Sequence, residues 1–319
     1  MPTLQDIQAA RPNVYRFLRP TPLYPYAGLS RLVGAEVWVK HENHQPVGAF
    51  KVRGGLNLVA GLDAPARAAG LYTASTGNHG QSIAFAAQAY GLRATIAMPE
   101  RANPDKVAAM RGLGAEVVFH GQDFDTAREW MMGVAAERGG CFVGPTDEPL
   151  ICGVGTYALE ILEDLPDVEV IIVPVGAGSG VCGTGIAAKG SNPAIEVIGA
   201  QSAQAPAMQW RWAGIEVANA PMTTFAEGVA TRVPFENTQS IMHQVLDDFV
   251  LVEDSDIEAA ILLMLEHTHN LAEGAGAVPL AAALQMKERL AGRKVVLVLS
   301  GGNLAVGELQ RIMAAHRGQ

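Results

Sequence analysis

The sequence predicts an α/β fold built from open, twisted and mainly parallel β-sheets. Strand-like and helix-like segments alternate along its 319 residues, which is typical of parallel strands joined by helices. The most apolar runs, 170–175 and 295–299, are short and rich in valine, isoleucine and leucine, as expected of strands buried on both faces. Several strands lead into turns of small residues, and open α/β sheets bind their ligands at such turns.

The individual elements follow from runs of apolar residues between turn signals. The candidate strands are 36–40, 71–75, 94–98, 116–119, 141–143, 170–175, 196–200, 249–252 and 294–299. The candidate helices include 50–61, 80–90, 104–113, 123–138, 153–163, 255–269, 277–290 and 304–314. Gly91, Gly114, Gly139 and Gly292 follow apolar helices, where a C-terminal cap glycine is expected. Asp123 and Asp254-Ser255 are placed to cap the N-termini of the helices that follow them.

Charge and hydropathy exclude several classes of function. A net charge of −9 without a cluster of lysine and arginine offers no basic surface, so no nucleic-acid partner is expected. The apolar runs are far too short to cross a bilayer, so no membrane span is expected. Residues 1–30 contain charges and prolines rather than a long apolar stretch, so no secretory signal is expected either.

The cysteines and histidines form neither a disulfide framework nor a metal pattern. Cys141, Cys152 and Cys182 are odd in number and contain no Cys-x-x-Cys pair, which indicates reduced structural thiols in a cytoplasmic protein. His267 and His269 are two positions apart and point to different faces of a helix, so they cannot easily share a metal ion.

Lys51 is the most informative single residue. It ends the segment 48–51, Gly-Ala-Phe-Lys, at the transition from a predicted strand to a predicted helix. Desolvation by apolar neighbours disfavours its ammonium form and lowers its pKa, which an amine needs in order to attack a carbonyl. The aldehyde of a cofactor is a natural target. A surface lysine on an amphipathic helix is the alternative interpretation.

Three further segments follow predicted strands. Residues 73–81 are Thr-Ala-Ser-Thr-Gly-Asn-His-Gly-Gln, residues 173–180 are Val-Pro-Val-Gly-Ala-Gly-Ser-Gly, and residues 297–303 are Leu-Val-Leu-Ser-Gly-Gly-Asn. Each is a strand that leads into a turn of small residues and then into a helix. These segments are therefore candidates for a ligand site at the carboxyl ends of the strands.

Together with residues 40–51, these segments resemble the fold-type II enzymes that use pyridoxal 5′-phosphate (PLP). The resemblance is greatest to the branch of threonine/serine dehydratases and serine racemases. Residues 40–51, Lys-His-Glu-Asn-His-Gln-Pro-Val-Gly-Ala-Phe-Lys, match the family pattern Lys-x-Glu-x-x-Gln-Pro-x-Gly-Ser/Ala-Phe-Lys. Thr-Pro-Leu at 21–23 matches as well, and the four segments occur in the family's order over most of the chain.

The resemblance implies two lobes with open twisted sheets, of the tryptophan synthase β type. A small α/β lobe, residues 69–146, would be inserted into a large PLP-binding lobe formed by residues 1–68 and 147–319. The C-terminal regulatory domain of biosynthetic threonine dehydratases is not expected, because the chain ends soon after Ser-Gly-Gly-Asn.

The resemblance also assigns residues of this sequence to the cofactor. Lys51 would bind PLP covalently and then act as the base at the substrate Cα. Phe50 is either a wall against the cofactor or a core residue. Ser300 would donate a hydrogen bond to the pyridine nitrogen, the alternative being a turn that closes the last strand. Asn78 resembles the residue that hydrogen-bonds the phenolic oxygen of PLP. Glu273 matches a glutamate near the ring edge, or else it is a carboxylate favoured by the dipole at a helix start.

The glycine-rich loop is expected to bind the phosphate of PLP. Its residues Gly176, Ala177, Gly178, Ser179 and Gly180 are small enough for backbone N–H groups to approach an anion at a helix N-terminus. The family loop usually has four glycines, from which Ala177 and Ser179 depart. A dinucleotide is the alternative ligand, but the glycine spacing of the dinucleotide fingerprint is missing.

The resemblance also implies that the loop before the second predicted helix binds the substrate carboxylate. Its residues Ser75, Thr76, Gly77, Asn78 and His79 offer backbone N–H groups and hydroxyls at a helix start. A helix N-terminus with a side-chain cap would explain the same sequence.

Two segments depart from the family pattern. Serine racemases hold a divalent cation with a Glu and an Asp after the strand that follows the phosphate loop. Residues 201–207, Gln-Ser-Ala-Gln-Ala-Pro-Ala, lack both carboxylates, so no metal site is expected. The family's Ala-Asp-Gly-Val is Ala-Glu-Gly-Val at 226–229, and the extra methylene of Glu227 can move a carboxylate that shapes the substrate pocket.

The resemblance implies a cytoplasmic PLP-dependent lyase. It would be a dehydratase, or ammonia-lyase, that converts a 3-hydroxy amino acid such as threonine or serine to a 2-oxo acid and ammonia by α,β-elimination. An amino-acid racemase on the same scaffold is the first alternative. A non-catalytic protein that binds PLP or an amino acid is the second, although Lys51, Asn78 and Ser300 are retained; a nicotinamide-dependent dehydrogenase is more distant. The sequence does not determine the side chain of the substrate. It also leaves the oligomeric state open, a homodimer being one alternative.

Overall fold

The strands form two separate sheets. The computed structural model of the protein describes residues 1–316. Its strands are β1 (Leu23–Pro25), β2 (Glu36–His41), β3 (Leu71–Ala74), β4 (Ala94–Met98), β5 (Glu116–Phe119), β6 (Cys141–Phe142), β7 (Val170–Pro174), β8 (Glu196–Ser202), β9 (Asp248–Val252) and β10 (Lys294–Leu299). One sheet has the order β1-β2-β10-β7-β8-β9, and the other has the order β5-β4-β3-β6.

Helices connect the strands and cover both sheets. They are α1 (Leu4–Tyr15), α2 (Ala27–Val33), α3 (Lys51–Ala60), α4 (Ala64–Ala69), α5 (Asn78–Tyr90), α6 (Pro104–Gly112), α7 (Phe124–Glu137), α8 (Glu148–Asp164), α9 (Ser179–Ser191), α10 (Ala207–Trp212), α11 (Glu236–Val245), α12 (Asp254–Thr268), α13 (Gly274–Gln285), α14 (Lys287–Leu290) and α15 (Val306–Ala315). Two short 3₁₀ helices, Glu42–His44 and Glu227–Val229, lie between them. Within residues 1–316, no helix combines the length and the apolar character needed to cross a membrane.

The strands are parallel except at one edge. β1 pairs antiparallel with β2, whereas the pairs formed by β2, β10, β7, β8 and β9 are parallel, as are those of the four-stranded sheet. Every residue of β3, β4 and β7 is buried. The predicted α/β class with open, mainly parallel sheets is confirmed. Because β2, β10 and β7 are neighbours, their carboxyl ends meet at one edge.

The two sheets use different stretches of the chain. The strands of the four-stranded sheet lie between Leu71 and Phe142, and the six-stranded sheet takes strands from both sides of this stretch. The lobe boundaries that the sequence predicts, 69–146 within 1–68 and 147–319, stay a prediction. Residues 317–319 of the predicted large lobe lie outside the described residues.

The predicted glycine caps and the Asp123 cap are present in the structure, but the cap predicted at Asp254 and Ser255 is wrong. Both residues lie inside α12, whose cap position is Glu253 without a side-chain hydrogen bond. Gly91, Gly114, Gly139 and Gly292 all have positive φ angles, between 63° and 82°, which glycine adopts without steric cost. The carboxylate of Asp123 accepts a 2.9 Å hydrogen bond from the backbone N–H of Thr126, as an N-cap does.

Some elements were not predicted. Strand β1 lies in a segment with prolines at 20, 22 and 25, which break the alternating pattern and are tolerated because β1 is an edge strand. Helix α1 contains Pro12 in its interior, yet a capping box between Thr3 and Asp6 starts it. The helix predicted over 277–290 is two helices, α13 and α14.

Candidate active site

Lys51 is the first residue of α3 and follows the carboxyl end of β2. The segment before it lies against the segment that follows β10. Ala49 forms an isolated antiparallel bridge with Gly301, and the backbone N–H of Phe50 donates a 3.0 Å hydrogen bond to the carbonyl of Ser300. Lys51 and Ser300, predicted to act on the same cofactor, are thus brought together by the pairing of β2 with β10.

The amine of Lys51 lies at the start of α9. Its Nζ donates a hydrogen bond of 2.9 Å to Oγ of Ser179, the first residue of that helix. Burial lowers the pKa of Lys51 to about 8. The centroid of the Phe50 ring lies 5.3 Å from Nζ, and the ring shields the amine. Gly180 lies on the same ring, because a Cβ added there would be 3.4 Å from the ring atoms. The surroundings therefore raise the neutral, nucleophilic fraction of the amine near neutral pH.

The glycine-rich loop follows β7 and ends in a helix N-terminus without a side-chain cap. Gly178 occupies the cap position with φ 100°, and the first-turn N–H groups of α9 have no cap partner there. A Cβ at Gly176 would lie 2.2 Å from the carbonyl oxygen of Gly228, so the loop can approach that backbone only as glycine. The Ala177 carbonyl accepts a 2.7 Å hydrogen bond from Thr238, which fixes the loop.

Asn78 and Glu273 lie together although Asn78 follows a strand of the four-stranded sheet and Glu273 lies between two strands of the six-stranded sheet. Asn78 begins α5, after β3, and its Nδ2 donates a 2.6 Å hydrogen bond to Oε1 of Glu273, which precedes α13. Burial raises the pKa of Glu273 to about 7 despite the hydrogen bond from Asn78. A Cβ at Gly301 would lie 2.3 Å from Oε1 of Glu273, so this carboxyl also touches the turn after β10.

The loop that opens α5 faces the same region. Gly77 caps the helix without a side-chain hydrogen bond, so the alternative of a side-chain cap is wrong for this helix. The hydroxyl of Ser75 accepts a 3.2 Å hydrogen bond from the N–H of Gly77. His79 contacts the carbonyl of Val143 through Nε2 at 3.2 Å, while its buried Nδ1 has no partner among residues 1–316. Burial, with a smaller effect of the Lys51 charge, lowers the pKa of His79 to about 4.

Ser300 follows β10 directly and is buried, with 3% of its surface exposed. Its backbone carbonyl is occupied by Phe50, but in the described part of the chain its hydroxyl makes no hydrogen bond. Because no protein group of the described residues engages this hydroxyl, it is available to a ligand.

The segment at the racemase cation position is filled by protein hydrogen bonds. The Nε2 of Gln201 donates to the carbonyl of Val229 at 3.2 Å and to the hydroxyl of Thr231 at 3.1 Å. Ala207, where the family racemases carry a carboxylate, is buried at the start of α10.

The structure adds residues that were not predicted. Asn303 belongs to the Ser-Gly-Gly-Asn segment but was given no role, and its Nδ2 donates a 2.8 Å hydrogen bond to Oδ1 of Asn78. Arg53, two positions after Lys51, is fully buried among carboxylates. Glu227, which the sequence already indicates as a departure from the family pattern, forms an ion pair with Lys106 of α6. The sequence gives no signal for these long-range contacts.

These residues fit the PLP predicted from the sequence. The cofactor has an aldehyde, a phosphate and a ring nitrogen. The buried amine of Lys51 suits the aldehyde, the uncapped N-terminus of α9 suits the phosphate, and the unpartnered hydroxyl of Ser300 suits the nitrogen.

Comparison with known proteins agrees with this assignment of the cofactor. The chain matches the family described as "Pyridoxal-phosphate dependent enzyme" over residues 14–301. The L-threonine ammonia-lyase of Thermotoga maritima is 41% identical over 317 residues, which are 98% of this chain and 78% of that protein.

Solved structures share the fold over nearly the whole chain. Threonine deaminase isoform 2 of Solanum lycopersicum matches with a TM-score of 0.93 at 31% identity, over 98% of this chain and 92% of that one. Maize serine racemase matches with a TM-score of 0.91 at 30% identity, over 98% and 97%. The predicted resemblance and the predicted cofactor, PLP, are confirmed, and the chain belongs to the pyridoxal-phosphate dependent enzyme family.

Proposed function

We propose that the protein is an L-threonine ammonia-lyase, which eliminates water from L-threonine and releases 2-oxobutanoate and ammonia. The observation that carries this proposal is the 41% sequence identity to an L-threonine ammonia-lyase over 98% of this chain. The geometry around Lys51 supports it, because a buried amine lies beside the N-terminus of α9. L-Serine, which lacks only the γ-methyl group, is the nearest further substrate.

Lys51 is the proposed base. When bound, PLP supplies the electron sink that stabilises negative charge at the substrate Cα. An amine with a pKa near 8 is a strong enough base to take up the Cα proton and still holds a neutral fraction at physiological pH. The hydroxyl of Ser179 accepts a hydrogen bond from Nζ and so fixes the position of the amine.

The loop from Ser75 to His79 is proposed to hold the substrate carboxylate. The uncapped first turn of α5 offers N–H groups with a favourable dipole, and the buried Nδ1 of His79 has no partner among the described residues. Ser300 is proposed to hold the pyridine nitrogen through its hydroxyl. Both contacts would fix the Cα–H bond relative to Lys51.

A substrate screen tests the proposed function. The purified holoenzyme is incubated with L-threonine, L-serine, 3-hydroxyaspartate and 3-phenylserine, and the 2-oxo acid released is measured as its hydrazone. We expect L-threonine to give the highest kcat/KM. Release from another 3-hydroxy amino acid alone would contradict the choice of L-threonine, and release from none would contradict the proposed reaction.

Two variants separate the role of Lys51 from a general loss of structure. Lys51→Ala should lower kcat on the order of 10³-fold or more, since it removes the base and the covalent attachment. Lys189→Ala, which removes a partly exposed ion pair with Asp247, serves as the matched control and should leave kcat unchanged. Borohydride should trap PLP on Lys51, and labelling of another lysine would refute the assignment.

An amino-acid racemase is the second candidate function, favoured by the similarity to maize serine racemase. We also propose a cytoplasmic location, which is supported by the free thiols of Cys141, Cys152 and Cys182.

A further inference from the structure

A chain of hydrogen bonds connects the separate segments of the active site. The Nδ2 group of Asn303 donates to the carbonyl of Val47 and to Oδ1 of Asn78, each at 2.8 Å. The Nδ2 group of Asn78 donates in turn to Oε1 of Glu273 at 2.6 Å. These hydrogen bonds therefore connect the turn before Lys51 to the residue before α13, by way of Asn303 and Asn78.

The chemistry of the groups fixes the direction of this chain. A backbone carbonyl only accepts hydrogen bonds, so the group of Asn303 that faces Val47 must be its NH₂. The second N–H of that NH₂ faces Asn78, so Asn78 must offer its carbonyl oxygen there. The NH₂ of Asn78 consequently points away from Asn303, toward Oε1 of Glu273, which accepts its hydrogen bond.

This direction has a consequence for the cofactor. Only one N–H of the Asn78 NH₂ group is used by Glu273, and the second has no partner in the part of the chain that the structure describes. In the proposed function, Asn78 meets the phenolic oxygen of PLP. An N–H at that point favours the unprotonated oxygen, whereas a carbonyl oxygen would repel it.

We propose that Asn303 is a positioning residue, which holds the side-chain amide of Asn78 in the orientation that presents an N–H to the phenolic oxygen of PLP. The inference rests on the proposed function and adds a residue to its site. Asn303 needs no contact with PLP for this role, since it acts through Asn78.

The turn before Lys51 is shaped to receive Asn303. Gly48 has a φ of 67°, and a Cβ at this position would lie 2.5 Å from Oδ1 of Asn303. The backbone N–H of Gly302 donates a 2.9 Å hydrogen bond to the carbonyl of Gly48, which fixes the two turns relative to each other. The Asn303 side chain is exposed, so its stability contribution is small and its substitution is unlike a core mutation.

The test replaces Asn303 in the full-length holoenzyme. Asn303→Asp has nearly the same shape but donates no hydrogen bond, so the NH₂ of Asn78 should turn toward the new carboxylate and present its carbonyl oxygen to the cofactor. Asn303→Ala removes the constraint without imposing the opposite orientation. Asn270→Asp is the control. It introduces the same charge at a residue whose Oδ1 accepts a 3.4 Å hydrogen bond from Asn43 rather than from the side chains of this network.

Two readouts besides activity are measured: the visible absorption band of the bound PLP and the fraction of PLP retained after dialysis. In Asn303→Asp we expect the visible band to move toward the near ultraviolet, where PLP with a protonated phenolic oxygen absorbs. We also expect the apparent affinity for PLP to fall roughly ten-fold or more. Asn303→Ala should show a smaller change in the same direction. Asn270→Asp and wild type should agree.

Asn303→Asp with the absorption band and PLP affinity of wild type would overturn the inference. An equal change in Asn270→Asp would also overturn it, since charge alone would then explain the effect. The midpoint of thermal unfolding is measured for each variant, to establish that each is folded when its absorption band and PLP affinity are compared. These readouts need no substrate, so a wild type that is inactive on L-threonine would contradict the proposed function without affecting them.

Discussion

The charge of the Glu273 carboxyl near neutral pH depends on the surroundings of this residue. Burial raises its pKa from 4.5 to about 7, and the hydrogen bond from Asn78 opposes this shift without cancelling it. Its proton is therefore bound more tightly in the folded than in the unfolded chain. The stability that this contributes is fully present below about pH 4.5 and is lost as the pH rises to about 7.

Glu273→Gln should remove this dependence in the PLP-free protein. The free energy of unfolding of wild type minus that of Glu273→Gln is expected to fall between pH 4.5 and pH 7 and to stay constant above it. The difference is needed because His79, with a pKa lowered to about 4, contributes in the opposite direction below its usual 6.5. Chemical denaturation at several pH values measures it, and a difference that does not vary with pH would refute the shift.

Ser300→Ala tests the proposed contact with the pyridine nitrogen. The hydroxyl makes no hydrogen bond among residues 1–316, so its removal should cost the folded protein little. We expect PLP to be retained and transition-state stabilisation to fall by about 1–3 kcal/mol, which lowers kcat/KM about five- to 160-fold. Ser240→Ala, at an exposed position of α11, is the control. Turnover equal to that of wild type would exclude the contact.

At the scale of elements, one buried ionic cluster joins β2, α3 and α8. Arg53 donates to Glu42 through Nε at 2.7 Å and to Glu160 through Nη1 at 2.6 Å, and Lys40 lies 2.6 Å from Glu160. All four side chains are at most 3% exposed. The two carboxylates compensate the two cations, and they raise the pKa of Arg53 above its usual value although desolvation opposes this. The cluster fixes the helix that begins with Lys51.

Arg53→Met should be strongly destabilising, because it leaves Glu42 and Glu160 short of a partner in the interior. Loss of one member of a buried pair costs about 3–5 kcal/mol in free energy of unfolding. Arg311→Met removes partly exposed ion pairs with Glu258 and Glu308 and should cost less than about 1 kcal/mol. Urea denaturation compares the two variants, and equal losses would show that the cluster contributes no more than a surface pair.

The connection from β8 to α10 leads to a prediction about divalent cations. The resemblance predicts that Gln201 and Ala207 stand at the carboxylate positions of the racemase site, and the amide of Gln201 donates to Val229 and Thr231. EDTA should therefore leave both activity and the midpoint of thermal unfolding nearly unchanged. A large loss that Mg²⁺ or Ca²⁺ restores would contradict this.

Local patterns in the sequence were sufficient for most elements. Strands 94–98, 116–119 and 294–299 were predicted with the bounds that the structure has, because apolar runs between turn signals are a local property. The edge strand β1 and helix α1 were missed, since prolines hide them in the sequence while tertiary packing stabilises them. Tertiary context of this kind routinely overrides local propensity.

The active site could be predicted only in part, for the same reason. The segments that carry Lys51, Asn78, the glycine-rich loop and Ser300 are each recognisable locally, and their roles toward PLP stay predictions. The contacts between them are not local: Asn78 and Glu273 are 195 positions apart, and Asn78 and Asn303 are 225. Such contacts depend on strand order, which no single segment encodes.

At the scale of the whole molecule, side chains connect the stretch that carries the small sheet to the wall of the active site. Lys106 of α6 forms an ion pair with Glu227, whose neighbour Gly228 touches the glycine-rich loop. The side-chain amide of Asn237 donates a 2.6 Å hydrogen bond to the carbonyl of Thr146. Through these contacts, α6 and Thr146 are joined to the segment around Gly228 and to α11, which both touch the glycine-rich loop.

Elimination and racemisation differ in what they ask of the face opposite Lys51. Elimination needs the base on one face and a leaving group at Cβ. Racemisation also needs an acid on the other face, where the family racemases carry a serine and this chain carries Thr76. The β-branched side chain of Thr76 has restricted χ1 angles, and its hydroxyl makes no hydrogen bond within the described residues that would aim it at Cα.

The most direct measurement follows both products of one reaction. The holoenzyme is given L-threonine, and 2-oxobutanoate and the isomer inverted at Cα, D-allothreonine, are quantified in the same samples by chromatography. We predict that 2-oxobutanoate forms faster than D-allothreonine and that Lys51→Ala forms neither. Formation of D-allothreonine at a rate equal to or above that of 2-oxobutanoate would contradict the assignment as a lyase and identify a racemase.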